Sequence, residues 1–170
     1  MKRSPVTGAF ALVVLLLFVA SEKASAELDE NLAFINPLVG TSWVGGYVGD
    51  DAPDIAIALK FESILGGKAV RYTREAPAAD FKSVTHFFWS PQAKKALFFT
   101  LNNRGMVDEG TIELVGAEFV LSGKSHWGEK SIEFKTVLNL DQSGTLSDTF
   151  SRNEKGEWVL GHYQEFEKLE

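Results

Sequence analysis

The chain contains no cysteine. That excludes disulfides, thiol nucleophiles, cysteine-held zinc and iron–sulfur clusters. It has no Asn-x-Ser/Thr acceptor for glycosylation. It also has no basic stripe: 17 Lys and Arg stand against 23 Asp and Glu, for a net charge of −6 and a pI near 5.1. A nucleic-acid partner is therefore not expected, and anionic membranes should attract the chain poorly. Signatures of catalysis are missing too. No G-x-S-x-G elbow, H-E-x-x-H, phosphate loop or dinucleotide fingerprint occurs. Asp108 and Glu109 are adjacent, so on a strand they face opposite ways and cannot work as a pair on one substrate. These absences favour a binding protein over an enzyme.

What is present begins with Met1-Lys2-Arg3, an apolar run from Ala9 to Ala20, and Ala24-x-Ala26. Basic, apolar and small-residue segments in that order read as a secretory signal cleaved near Ala26. The run is shorter than the roughly 20 residues a membrane span needs, and no cysteine follows it to carry a lipid. The expectation is a signal peptide over 1–26 and one domain over 27–170, with the mature protein secreted or periplasmic and without a membrane span. Loss of Lys2, Arg3, Lys23 and Glu22 takes the net charge from −6 to −8.

From Thr41 onward the apolar period is two, the strand period. Ile55, Ile57, Leu59 and Phe61 alternate with Ala56, Ala58, Lys60 and Glu62. Val70 and Tyr72 alternate with Arg71 and Thr73. Turn signals follow at short intervals: "LGG", "PQAKK", "NRG", "WGEK", "DQSG" and "NEKG". This spacing predicts about ten strands in an all-β fold. Short loops predict an antiparallel meander. Only residues 28–39 read as helix, with Asp29 as cap and Pro37 as stop.

A meander of this size must hide two edges, and closure into a barrel removes both. The stretch "NPLVGTSWVGGYVG" supports closure. Gly40, Gly45, Gly46 and Gly49 let the first strand bend and let a neighbour approach closely, while Trp43 plugs one end beneath the short helix. The predicted fold is a single up-and-down antiparallel barrel with a short N-terminal helix, wide enough to enclose a cavity.

These residues resemble the calycins, the superfamily of lipocalins and fatty-acid-binding proteins, whose first strand carries a G-x-W motif; here the spacing is Gly40-Thr-Ser-Trp43. "LVGTSW", "ILGGKAVRYTRE", "FFWSPQAKK" and "DEGTIEL" are similar to the bacterial DUF1579-type lipocalin-like proteins. That resemblance implies a lipocalin-like barrel but no assigned chemistry. More distantly the opening is similar to nitrobindin, a ten-stranded barrel that holds haem through one histidine near its C-terminus. The position here that corresponds is His162 in "LGHYQEF".

The leading expectation is a small apolar or amphipathic ligand in the lumen, bound by Trp43, Ile57, Leu59, Phe61, Arg71, His86, Phe88 and His162. His86 shares a face with Val84 and Phe88, and His162 with Trp158, Leu160 and Phe166. Arg71 and Arg74 lie on opposite faces of one strand, so one of them points inward and needs an anion. Glu62, Asp108, Asp148 or a ligand carboxylate could supply it. No protein-bound metal is expected, because His86, His126 and His162 do not share one inward level. Two alternatives stand beside the leading one. One is a haem protein with His162 as axial ligand. The other is a non-catalytic interaction module that forms a homodimer through the outward half of the aromatics in "HFFWS" and "ALFFTL". Isomerase chemistry, known in some lipocalin-like barrels, also stays open.

Overall fold

The computed structural model describes residues 27–170. The signal-peptide reading falls on residues outside that range. Ten antiparallel strands follow one another: β1 (Ser42–Tyr47), β2 (Ile57–Ile64), β3 (Ala69–Ala76), β4 (Phe81–Ser90), β5 (Lys95–Asn102), β6 (Val107–Val115), β7 (Glu118–Trp127), β8 (Lys130–Leu140), β9 (Leu146–Glu154) and β10 (Glu157–Lys168). Each pairs with its neighbours in sequence, and β1 pairs with β10 to close the barrel. No strand is left with an open edge, as the predicted meander requires.

Closure depends on the glycines of the first strand. Gly45 lies opposite Phe166 of β10. A Cβ at Gly45 would stand 1.9 Å from the Glu165 carbonyl oxygen, so only glycine fits there. Gly46 is tight in the same way against the Ile55 carbonyl, at 2.8 Å.

The predicted helix is a single 3-10 stretch, Glu30–Ile35. Asp29 caps it by accepting from the Asn31 backbone N–H at 3.1 Å, and the chain then runs through turns to β1. Leu32, Ile35 and Leu38 are fully buried beneath Trp43, Phe61, Phe87, Leu146 and Phe166. Burying each such side chain contributes about 1.5–3 kcal/mol. The Trp43 indole N–H donates to Thr41 Oγ1 at 2.7 Å, and Thr41 in turn donates to the Leu38 carbonyl. This satisfies the one polar atom of the plug. One end of the barrel is therefore a packed apolar core under a helical lid, joined to the β2–β3 turn by the Asp29 N–H to Gly67 carbonyl bond of 2.9 Å.

The other end is different. The β1–β2, β3–β4, β5–β6, β7–β8 and β9–β10 connections gather there, and among the described residues their only helical piece is the three-residue 3-10 turn Pro77–Ala79, with no counterpart of the N-terminal lid.

Candidate functional site

Between the apolar floor and the uncovered end lies a lumenal cavity of about 280 Å³. Its walls follow from the strand period. β3 contributes Tyr72 and Arg74, two and four residues on from the fully buried Val70. β9 contributes Asp148 and Phe150 after Leu146, and β10 contributes His162, in phase with Gln164 and Phe166. β4 and β5 contribute Ser83, Thr85, Phe98 and Thr100. The Thr85 and Thr100 hydroxyls bond to each other at 2.7 Å.

Two glycines shape the aromatic wall. Gly110 of β6 and Gly123 of β7 are cross-strand partners on the inner face, between Phe98 of β5 and Phe134 of β8. A Cβ on either would stand 2.1 Å from a backbone oxygen of the other strand. With no side chains in the gap, Phe98 and Phe134 meet edge to face across two intervening strands, with centroids 5.9 Å apart. The arc continues from Phe134 to Phe150 at 5.8 Å and from Phe150 to the stacked ring of His162 at 5.1 Å.

The polar wall is a transverse ion pair. Arg74 reaches across the lumen from β3 to Asp148 of β9, with β2, β1 and β10 between them in the sheet. It forms a short charge-assisted contact with Asp148 and donates to Gln164 Oε1 of β10 at 3.0 Å. Burial works against the Arg74 charge. The neighbouring Tyr72 and Asp148 more than offset this and hold its pKa above the ordinary arginine value. Burial pushes the Tyr72 hydroxyl up to about 12. It also holds His162 below the usual histidine range, with Arg74 adding to the effect and Asp148 opposing it. Across the lumen, burial raises the Asp108 carboxyl above the ordinary aspartate range, against the Ser125 hydroxyl and His126.

The arrangement leaves unusual debts. Tyr72 Oη, Arg74 Nε, Asp148 Oδ1, Gln164 Nε2, His162 Nε2 and Asp108 Oδ1 are all buried without a hydrogen-bond partner. A buried polar atom left unpaired costs about 1–3 kcal/mol. Five of these six residues line the cavity itself; Gln164 is the exception.

The expected pocket residues separate into three groups. His162 lies on the cavity wall. Trp43, Ile57, Leu59 and Phe61 point inward but belong to the packed core, each no more than 2% exposed. The lumenal placement of Arg71, His86 and Phe88 must be corrected, because they sit on the outer face; Arg71 and His86 line an outer cleft of about 690 Å³ that Trp43 and Leu59 also border. Arg71 donates to Glu62 at 2.7 Å on the barrel exterior, since Val70 and Tyr72 take the inward phase. His86 and Phe88 alternate with Ser83, Thr85 and Phe87, whose side chains are buried in the lumen. Phase in β4 is misleading because its outward row, Val84-His86-Phe88, is more apolar than its inward one. His162 was also grouped with Trp158 and Leu160, which are 54% and 60% exposed. A bulge at Gly161 inverts the phase between Leu160 and His162. A Cβ there would meet the Phe150 ring at 2.5 Å.

In the sequence Arg74, Asp148 and Asp108 stand out only as possible ion-pair partners, and by residue type Tyr72 and Gln164 carry no site signal. A usable signal existed: each of Arg74, Asp148 and Gln164 lies two residues from a deeply apolar position on its own strand.

Among the described residues, no group of three His, Cys, Asp or Glu side chains could hold a metal ion, and no helix is long and apolar enough to cross a membrane. The fold and cavity define the class: a closed ten-stranded antiparallel barrel with a helical plug and a polar–aromatic lumen. No family model matches the chain, and no curated protein matches it significantly.

Proposed function

We propose that the mature protein is a secreted or periplasmic, lipocalin-like carrier that takes a small amphipathic ligand into its lumen. The observation that carries this reading is the set of unpartnered buried polar atoms facing a cavity of about 280 Å³. A cavity that size lies just below the usual range of ligand pockets, about 300–1,000 Å³, and suits only a small ligand. An apolar body would rest on Phe98, Phe134 and Phe150, and a polar group would answer the free atoms of Arg74, Asp148 and His162. Haem fits these residues poorly. His162 has Phe150 stacked on one side and Tyr47 edge-on at 5.7 Å, its Nε2 lies 3.9 Å from Asp148 Oδ1, and the lumen is small for a macrocycle.

Native mass spectrometry of the mature form, purified without detergent, tests the proposal. The expected result is an added small-molecule mass that leaves on denaturation. It should be absent from the Arg74→Met/Asp148→Leu double variant. A bare protein that also fails to take up any small amphiphile would overturn the reading.

A second reading rests on the exterior. Val84, Phe88, Leu97, Phe99, Leu101 and Val107 form one outward patch on β4–β6, with Phe99 38% and Leu101 53% exposed. Such patches favour association. We propose a homodimer through this face. The same mass spectra would report it as a bare or loaded dimer that Leu101→Lys dissociates, and a monomer at high concentration would remove it.

A further inference from the structure

We propose that the lumen's ligand is a small protonated amine with an apolar or aromatic body, held through Asp108 against the arc of aromatic rings. This rests on the lumenal-carrier reading and narrows it. The charges that face the cavity do not balance. One lining residue is cationic, Arg74, and two are acidic, Asp108 and Asp148. Arg74 is already committed: its Nη2 serves both Asp148 and Gln164. Its Nε and Nη1 remain hydrogen-bond donors, but inside a pair whose charge Asp148 already neutralises, not as an open counter-ion for a carboxylate. Among the described residues, no lysine or arginine pairs with Asp108 in the lumen; the groups nearest its charge are the Ser125 hydroxyl and His126. Asp108 sits on the inner face of β6 opposite Thr100 and Ser125, with Oδ1 buried and unpartnered. His162, the remaining titratable base on the wall, is held toward its neutral form by burial.

An incoming carboxylate would meet two acidic groups and one spent arginine. An ammonium would meet Asp108 Oδ1, with the free Oδ1 of Asp148 on the same cavity. The wall between them suits the same ligand. Phe98, Phe134 and Phe150 offer ring faces and edges to an apolar body, and aromatic rings attract cations that lie over their faces. The route in is biased the same way. The five connections at the uncovered end carry five acidic residues, among them Asp50, Asp51 and Asp54, against two basic ones, Arg104 and Lys155. A mouth of that sign concentrates cations.

The test uses three probes of nearly one shape and three charges: phenethylamine, phenethyl alcohol and phenylacetate. Each is titrated into the mature protein by calorimetry at neutral pH. The expected order is amine, alcohol, acid, with the amine roughly tenfold tighter than the alcohol, since a charged hydrogen bond outweighs a neutral one. In Asp108→Asn the amine should fall to the level of the alcohol, and the alcohol should be unchanged. Equal binding of amine and alcohol, or tightest binding of the acid, would overturn the amine inference and leave the carrier reading standing. Binding of none of the three to a protein whose circular dichroism shows an intact barrel would overturn the carrier reading beneath it. Should Asp108→Asn not fold, the ratio of amine to alcohol in the unaltered protein decides the matter alone.

Discussion

The two ends of this barrel are built from the same strands and obey opposite rules. At the plugged end Trp43, Phe61, Phe87, Leu146 and Phe166 fill the interior, and the one polar atom of the indole is paired. At the mouth end the interior rows carry Arg74, Asp108, Asp148 and His162, and polar atoms stand without partners. The first arrangement maximises stability. The second leaves free energy unclaimed, which is how a site ready for a ligand differs from a core. Ten strands enclose more volume than side chains alone fill, so one end can be plugged while the other stays open to bind.

The comparison breaks first at the plug. Trp43→Ala should cost about 3–5 kcal/mol in denaturant unfolding, because the cavity it leaves lies under a lid that cannot collapse. A cost under about 1 kcal/mol would mean that the plugged end is not a core. The transverse pair comes next. Asp148→Leu alone should cost about 3 kcal/mol, for it strands Arg74 in the lumen. The double change Arg74→Met/Asp148→Leu should cost much less than the single one. If the double variant were the worse of the two, the ion pair would be a stability device and not a binding one. Gly110→Ala and Gly123→Ala should each cost about 1–3 kcal/mol by forcing backbone apart beneath Phe98 and Phe134. A neutral result would mean the strands have room to relax there.

The smallest effects are those of pH, and they have opposite signs. His162 is held below 6.5 in the folded state, while the unfolded chain takes up its proton near that value. Stability should therefore fall as pH drops through 6.5, and His162→Gln should flatten that slope. Asp108 has a raised pKa, so the folded state takes up its proton first. Acidification through the carboxylate range should favour folding through this group, and Asp108→Asn should be more stable than the unaltered protein at neutral pH. A destabilised Asp108→Asn would show that the Ser125 hydroxyl and His126 outweigh burial at this carboxylate, which is then not waiting for a ligand.

Much of the plugged end was legible in advance. The helix with its Asp29 cap, the glycines of the first strand, the inward phase of Ile57, Leu59 and Phe61, and the closing of the meander all follow from local patterning. They follow because in the N-terminal segment and β2 apolar and inward are the same set. The β4–β5 wall was legible only in part. β4 and β5 place Ser83, Thr85, Thr100 and Asn102 inward and Val84, Phe88, Leu97, Phe99 and Leu101 outward, so hydrophobicity points the wrong way. The faces of His86 and Phe88 mislead for that reason, and Trp158 and Leu160 because one extra residue at Gly161 inverts phase without a mark in the pattern; Arg71 differs, since the apolar Val70 and Tyr72 beside it do mark the inward phase.

By itself, then, the sequence determined the all-β class, the number of strands, their order and the plug, since these rest on period, turn chemistry and backbone freedom within a few residues. Only the tertiary structure decided which arginine crosses the lumen, that Phe98 meets Phe134 over two glycines, and that, among the described residues, no lysine or arginine pairs with Asp108 in the lumen. Those outcomes join residues from strands far apart in the chain, and a local pattern carries no information about which distant side chain will be its partner.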